Sequence, residues 1–202
     1  MRKLDIGPGW DPDKRIPGFE TVDAVPRGNV DHVADAQGPL PFPDNTFEIV
    51  HASHVLEHIP WQYSDLALQE WVRILKPGGW LEVWVPNALK VAEAFVEGEK
   101  GRYGLAQKSP LWNKSQEGKG TWECAEVRRD PCRLANGYIL TFVGGIECGD
   151  VGMHRAIFSP RYLKKLMKEA GLVEVQGMKK DQIRAHHYRW VNMGVKGKKP
   201  NQ

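Results

Sequence analysis

The sequence predicts an α/β domain with a mostly parallel sheet that is covered by helices. Strand-like runs alternate with an amphipathic helical run, which is typical of parallel sheets. The first apolar run, residues 2–6, leads directly into a Gly-Pro-Gly turn at residues 7–9. The next two strand-like runs end in acids, Asp23 and Asp35. Open α/β sheets bind ligands at the carboxyl ends of their strands, where glycines let the backbone approach closely.

The composition fits one domain of ordinary size, with 202 residues and a net charge of +3. No apolar run approaches the roughly 18 residues of a membrane span, and the N-terminus lacks the apolar core of a signal peptide. The three cysteines are odd in number and form no C-x-x-C motif, which favours a reducing compartment. We therefore expect a cytoplasmic protein without a membrane partner.

The charge is distributed unevenly. Residues 1–60 contain five Lys or Arg against ten Asp or Glu, whereas residues 161–202 contain eleven against three. We interpret the basic end as a solvated helix face followed by a frayed tail. An anionic partner is the alternative interpretation.

The first half of the chain predicts five strands and one helix. The helix is expected over residues 63–76, where apolar residues recur at helical spacing, and Pro77-Gly78-Gly79 ends it. The strands are expected over residues 2–6, 18–24, 29–35, 45–52 and 80–86.

The second half is less regular. Residues 89–97 predict a short helix, and a second helix over 161–170 begins with Ser159 as N-cap and Pro160 at its first position. Final strands are expected over 173–175 and 188–195. Residues 98–150 lose periodicity, and long stretches of this kind in compact domains are usually functional or mobile. The predicted organisation is a core at 1–97, a substrate flap at 98–153, a C-terminal part of the core at 154–195, and a disordered tail at 196–202.

The connection between the first two strands is short. Only residues 10–18 join them, whereas a parallel crossover normally contains a dozen or more residues, usually a helix. The usual first helix is therefore expected to be missing or cut to one turn. A dinucleotide site would require a third glycine at the position of Pro12 and a helix N-terminus for the pyrophosphate. A dehydrogenase is accordingly disfavoured.

Five segments in a fixed order resemble the class I S-adenosylmethionine (SAM) dependent methyltransferases, in particular the type 11 group. They are residues 4–9 (LDIGPG), 21–24 (TVDA), 33–59 (VADAQGPLPFPDNTFEIVHASHVLEHI), 73–87 (RILKPGGWLEVWVPN) and 154–172 (HRAIFSPRYLKKLMKEAGL). The resemblance implies a Rossmann-like fold: a mostly parallel seven-stranded sheet with helices on both faces and a flap inserted after strand 5. It implies SAM as cofactor and S-adenosylhomocysteine as product. The short first connection resembles a subgroup with a trimmed first helix.

The resemblance also implies cofactor-binding roles at the ends of the first four strands. Two ribose hydroxyls suit the two oxygens of a carboxylate, which accepts strong charge-assisted hydrogen bonds. The implied residues are Asp5, Gly7, Pro8 and Gly9 around the methionine end, Asp23 at the ribose, Ala24, Asp35 and Ala36 at the adenine, and Ala52 and Ser53 beside the amino group and sulfonium.

A hydroxyl acceptor would need a general base, and four candidates stand in residues 51–60, HASHVLEHIP. They are His51, His54, Glu57 and His58, of which the last three share one face of a helical turn. We predict His54 as the base nearest the cofactor and His58 as a second catalytic residue. A network that only braces the loop is the alternative.

No metal is expected. Residues 54–58 spell H-x-x-E-H, a zinc-peptidase signature, which we interpret as a chance match inside the methyltransferase segment. Cys124, Cys132 and Cys148 with His154 fit no common zinc template. In the resembling group, a histidine at position 154 can also face the substrate pocket.

The predicted function is SAM-dependent methyl transfer to a small molecule held under the flap, at a hydroxyl of a sugar or another polyol. One alternative is methylation of RNA or another anionic biopolymer through the basic C-terminal end. Another is a non-catalytic scaffold subunit with the same fold. The strand-4 end reads HASH rather than Asn/Asp-Pro-Pro-Tyr, which disfavours amino-methylating DNA enzymes.

Overall fold

A single seven-stranded sheet organises the computed structural model, which describes residues 1–9, 11, 13, 15–105, 107, 131–132, 135, 139, 153–184 and 191–201. The strand order is β3-β2-β1-β4-β5-β7-β6. Strands β1 to β5 pair in parallel, and β7 runs antiparallel to β5 and β6. The strands are β1 (Lys3–Ile6), β2 (Glu20–Asp23), β3 (His32–Val33), β4 (Phe47–Ser53), β5 (Leu75–Pro86), β6 (Val173–Met178) and β7 (Asn192–Lys198).

The strand order places a ligand crevice at the carboxyl edge of the sheet. The chain runs outward from β1 to β3 on one side and from β4 to β5 on the other, so the order reverses between β1 and β4. Open α/β sheets bind ligands at such switch points. Because β7 is antiparallel, its first residue, Asn192, reaches this same edge opposite Pro86.

Helices α1 (Ser64–Arg73), α2 (Ala88–Glu99) and α3 (Pro160–Glu169) accompany the sheet. Helices α1 and α3 pack against each other, and Trp71 and Leu163 are fully buried in the main core. The Ser159 side chain caps α3 by accepting a hydrogen bond from the Tyr162 N–H, as predicted. Among the described residues, none of the helices is long and apolar enough to cross a bilayer.

Strand β3 is shorter than predicted. We expected a strand over 29–35, but only His32–Val33 pairs with β2. Before His32, side chains replace the backbone ladder: the Asp31 carboxylate accepts the Thr21 N–H at 2.9 Å, and the Thr21 hydroxyl donates to the Asn29 carbonyl at 2.8 Å. Asp31 therefore holds this segment beside β2 without strand pairing.

The predicted disordered tail is wrong for residues 196–199. Residues 196–198 complete β7, and the Lys199 backbone exchanges two 2.9 Å hydrogen bonds with Gly78 and Gly79. The Lys199 ammonium donates to the Val72 and Leu75 carbonyls, both at 2.8 Å. Burial lowers the pKa of this lysine. A Gly/Lys-rich run has little strand propensity of its own, so its pairing with β5 determines its structure.

The trimmed first helix leaves one sheet face covered by side chains. The described residues between β1 and β2 contain no α-helix, and Pro12 lies outside them. On this face, strand register aligns Asp5, His51 and Glu82 in a buried row. Asp5 bonds to Nδ1 of His51 at 2.7 Å, and Arg184 bonds to Glu82 at 2.7 and 3.0 Å. Phe19 packs edge-on against His51. Paired polar groups thus occupy a surface that a helix usually covers.

Arg73 holds the loop before β4, and its removal is expected to destabilise the fold. Its guanidinium donates to the Phe42 carbonyl at 2.9 Å, to Asp44 at 2.6 Å and to Glu70 at 2.7 and 2.8 Å. We expect Arg73→Ala to lower the free energy of unfolding by about 2 kcal/mol, measured by urea denaturation, because charged hydrogen bonds are lost. The exposed pair of Lys165 with Glu169 offers a control, since Lys165→Ala should change stability by less than about 0.5 kcal/mol.

The Arg73 effect should depend on pH. The hydrogen bond from Arg73 holds the pKa of Glu70 below its ordinary value of 4.5. A carboxyl whose pKa is lower in the folded state stabilises the fold above its unfolded pKa and loses this contribution as pH falls through the folded pKa. The difference between wild type and Arg73→Ala should therefore shrink below pH 4.5. Equal stabilities at pH 7 would contradict the assigned role of Arg73.

Candidate active site

The glycine turn after β1 forms the floor of the crevice. Gly7 and Gly9 have φ of +68° and +79°, in the left-handed region that favours glycine. The Gly7 N–H donates to the Val22 carbonyl at 2.8 Å, and Asn29 donates to the Gly9 carbonyl at 3.1 Å. A Cβ on Gly7 would lie 2.4 Å from Cγ2 of Val55. The turn, in which Pro8 is buried, therefore packs directly against the loop that follows β4.

Asp23 stands at the end of β2, with the exposed Ala24 next to it. One carboxylate oxygen accepts the Val25 N–H at 2.9 Å, and the other lies 3.3 Å from a guanidinium nitrogen of Arg27. The sequence reasoning did not anticipate this arginine. A ligand hydroxyl at Asp23 would share the carboxylate with Arg27.

Asp35 and Ala36 follow β3 at the same edge. Asp35 is exposed, and its carboxylate accepts the Gln37 N–H at 2.9 Å. The Ala36 carbonyl accepts a hydrogen bond from the Trp71 indole at 3.0 Å. This bond fixes the predicted adenine-side segment to α1.

Ser53 ends β4 with a buried hydroxyl that has no hydrogen-bond partner among the described residues. The preceding Ala52 is fully buried and lies opposite Ile6, the last residue of β1. A buried polar group without a partner is costly, and a ligand group can satisfy it. Ala52 and Ser53 therefore stand beside the glycine turn.

Asp5 and His51 are directed away from the crevice. Asp5 was expected in the cofactor-binding set, but its carboxylate is 3% exposed and bonds to the fully buried His51. The Asp5 carboxylate thus links β1 to β4 through His51 and is not accessible to a ligand. His51, one of the four candidate bases, is likewise inaccessible to an acceptor.

His54 stands at the crevice with both ring nitrogens in polar contacts. Its φ is +58°, and its N–H bonds to the Trp84 carbonyl at 2.9 Å. Nδ1 lies 2.8 Å from a Glu57 oxygen, and Nε2 lies 3.1 Å from the side-chain oxygen of Asn192. The sequence analysis did not identify Asn192, because the local sequence pattern does not indicate that the antiparallel β7 begins at this edge of the sheet.

Glu57 is a buried anion. Burial alone would raise the pKa of its carboxyl, but the neighbouring His54, His58 and His154 outweigh burial and lower that pKa. Glu57 therefore accepts the Nδ1 proton of His54 as a carboxylate. This pairing fixes the imidazole at the strand end.

His58 faces a segment that returns from the second half of the chain. Its Nδ1 lies 3.2 Å from the Met153 carbonyl, and its ring meets that of His154 edge-on at 4.9 Å. The Glu57 carbonyl accepts the N–H groups of Arg155 and Ala156 at 2.7 and 3.1 Å. The structure therefore brings two sequence-predicted candidates, His58 and His154, into contact.

A small pocket opens beside this junction, lined mainly by Pro86, Ala88, Val91, His154 and Ala156. Its wall is largely apolar with one imidazole. Most of the predicted flap, including Cys124 and Cys148, lies outside the described residues, and so does Trp10.

Comparisons with known proteins agree with this geometry. A family profile described as "Methyltransferase domain" matches residues 20–83. The chain is 45% identical over 56 residues to the ubiquinone/menaquinone biosynthesis C-methyltransferase of Hydrogenovibrio crunogenus, a stretch covering 28% of this chain and 21% of that relative. The alignment thus spans about a fifth of the relative's length.

Solved structures match nearly the whole chain. A SAM-dependent methyltransferase of Thermotoga maritima, described as a possible histamine N-methyltransferase, is 18% identical, with a TM-score of 0.53 over 98% of this chain and 82% of that one. A SAM-dependent methyltransferase of Archaeoglobus fulgidus is 15% identical, with a TM-score of 0.53 over 98% of this chain and 86% of that one. A third match is the 1,6-didemethyltoxoflavin-N1-methyltransferase of Burkholderia thailandensis, crystallised with 1,6-didemethyltoxoflavin and S-adenosylhomocysteine. It is 13% identical, with a TM-score of 0.53 over 98% of this chain and 71% of that one. The chain has the fold of SAM-dependent methyltransferases, and its residues 20–83 match a methyltransferase domain.

These structures confirm the predicted Rossmann-like fold, and the methyltransferases that share it are SAM-dependent. The described residues fit this group. The turn after β1 carries glycines at residues 7 and 9, so no side chain of these two residues obstructs a ligand there. The Ser53 hydroxyl is buried without a partner among the described residues. Asp23 and Asp35 supply carboxylates along the same edge.

Proposed function

We propose that this class I methyltransferase transfers a methyl group from SAM to a hydroxyl of a small molecule, such as a sugar or another polyol. One observation carries the choice of a hydroxyl: the imidazole of His54 stands at the end of β4 and is held by the buried carboxylate of Glu57. Three of the four proteins named above have a carbon or nitrogen acceptor in their names. A hydroxyl needs a base to become a good nucleophile, and a histidine held by a carboxylate is suited to that task.

The cofactor roles follow the strand ends. We propose that Gly7, Pro8 and Gly9 lie under the methionine part of SAM, while Ser53 contacts its amino group and Ala52 lies close by. Asp23 then accepts the ribose hydroxyls beside Ala24, and Asp35 with Ala36 borders the adenine. Asp5 acts indirectly by holding His51 beneath the turn. SAM supplies a methyl group on a positively charged sulfur.

The contacts of His54 suit a proton acceptor. Because a carboxylate only accepts hydrogen bonds, Nδ1 carries the proton shared with Glu57. An imidazolium can donate from Nε2 to the Asn192 oxygen, and rotation of the Asn192 amide lets its NH₂ donate to Nε2 of a neutral ring. The site therefore accommodates both protonation states of His54.

The reaction needs little more from the protein than this base and correct alignment. The acceptor oxygen bonds to the methyl carbon as the methyl–sulfur bond breaks, the hydroxyl proton passes to Nε2 of His54, and S-adenosylhomocysteine leaves. Holding the acceptor in line can contribute about 7–11 kcal/mol to the rate enhancement. We place this reaction in the cytoplasm, in line with three cysteines that suggest a reducing compartment.

Calorimetry with SAM and S-adenosylhomocysteine, followed by transfer of labelled methyl from SAM to pools of hydroxylated small molecules, tests the proposal. Binding of both and labelling of a hydroxyl are expected. A chain that binds neither would be a scaffold. Labelling of RNA with salt-sensitive affinity, and of no small molecule, would identify the anionic-biopolymer alternative instead.

His54→Asn should separate catalysis from binding. Asparagine tolerates the left-handed backbone of this position but cannot act as a base at neutral pH. We expect turnover to fall at least about 100-fold, within the usual contribution of a general base, while SAM affinity changes less than about threefold. The control is His32→Asn, which replaces a histidine paired with Glu20 outside the site. Unchanged turnover in His54→Asn would refute the base.

A further inference from the structure

Three potential metal ligands meet beside the His54 loop. One carboxylate oxygen of Glu57 and one ring nitrogen each of His58 and His154 all lie within 4.8 Å of one another. Glu57 is buried and the two histidines are half-buried. Two imidazoles and one carboxylate form a ligand set that first-row transition metals use when they leave coordination positions open.

The Glu57 carboxylate supplies the second observation. Its Oε1 pairs with Nδ1 of His54, but its Oε2 is buried and has no hydrogen-bond partner among the described residues. The side chain is 1% exposed, so water does not compensate for this oxygen at the surface. A buried anionic oxygen without a partner is costly, and a cation removes that cost.

The outer contacts of the cluster are those of metal ligands. Histidines that bind metals usually donate their other ring N–H to a carboxylate or a backbone carbonyl. His58 has this arrangement, because its Nδ1 lies 3.2 Å from the Met153 carbonyl and its Nε2 is then the coordinating atom. Glu57 is itself held by His54, as ligating carboxylates are held by outer hydrogen bonds.

The required movement is small. A tetrahedral zinc ion with bonds of about 2.0–2.2 Å holds its ligand atoms roughly 3.3 Å apart. The three ligand atoms, now within 4.8 Å, would have to approach by at most about 1.5 Å. The edge-on rings of His58 and His154, 4.9 Å apart, allow this by side-chain rotation.

We propose that Glu57, His58 and His154 bind a divalent transition-metal ion such as Zn²⁺ and leave one coordination position open. This site differs from the H-x-x-E-H peptidase pattern, in which His54 and His58 would be the ligands. It also replaces the sequence expectation of no metal. In the acceptor role, which rests on the proposed function, the ion coordinates the substrate hydroxyl and eases its deprotonation.

Zinc binding by the full chain, freed of metal with a chelator, tests the site without reference to catalysis. Titration against a chromophoric chelator should give one Zn²⁺ per chain, and His154→Ala should weaken binding at least 100-fold. His32→Ala removes a histidine elsewhere and should bind as wild type. Co²⁺ should give the visible absorption of a four-coordinate ion, and His58→Ala should abolish it.

The cysteines require their own control. A variant with serine at Cys124, Cys132 and Cys148 should retain the zinc site. Loss of binding in that variant, or wild-type binding by His154→Ala, would overturn the proposal. If Zn²⁺ binds while SAM does not, the metal site stands and the proposed function falls. Equal methyl transfer by zinc-loaded and chelated protein would overturn the acceptor role of the ion.

Discussion

Gly7→Ala is expected to reduce SAM affinity at least 100-fold. Two separate causes act at this position. Alanine is strained at a φ of +68°, and its Cβ would lie 2.4 Å from Cγ2 of Val55. The turn must then move into the space assigned to the methionine end of SAM. Calorimetry measures the affinity, and thermal unfolding establishes that the variant is folded.

The double variant Gly7→Ala with Val55→Ala distinguishes the two causes. Removing the Val55 methyls relieves the collision but not the backbone strain. We expect affinity to recover only in part, with a deficit of at least tenfold relative to Val55→Ala alone. Wild-type affinity in Gly7→Ala would show that the turn is not the floor of the cofactor site.

Asp23→Ala is expected to weaken SAM binding at least tenfold, measured by the same calorimetry. The variant removes the carboxylate proposed to accept both ribose hydroxyls, and charged hydrogen bonds contribute about 1.5–3 kcal/mol each. The same substitution removes the Asp23 carboxylate that pairs with Arg27, so Arg27→Ala is needed as a companion variant.

Arg27→Ala should retain SAM affinity within about threefold, because only the carboxylate is assigned to the ligand. Asp65→Ala, which removes an exposed acid at the start of α1, controls for the change in net charge. If Asp65→Ala weakens binding as much as Asp23→Ala does, the ribose assignment is wrong.

The fold was predictable because its signals are local. The helix predicted at 63–76 is α1 at Ser64–Arg73, and the strand predicted at 80–86 forms the second part of β5. The lack of an α-helix among the described residues between β1 and β2 followed from the length of the connection alone. The end of β7 was not predictable, since Lys196 and Lys198 gain strand structure by pairing with the distant strands β5 and β6 on either side.

The candidate site was predictable at the residue level but not in its contacts. His54 and Glu57 were found because a spacing of three residues brings side chains together. The contact with Asn192 joins residues 138 positions apart, and no local pattern reveals it. The contact of Asp5 with His51 is a related case. Register, not sequence motif, sets its carboxylate against His51.

Because β7 is antiparallel, two distant parts of the chain contribute residues to the candidate site. Every residue proposed to contact SAM precedes position 54, whereas the partners of the base loop beyond it, Met153 to Ala156 and Asn192, come from the last fifty residues. Exchange of the C-terminal quarter between related enzymes could therefore alter which acceptor is methylated without rebuilding cofactor recognition.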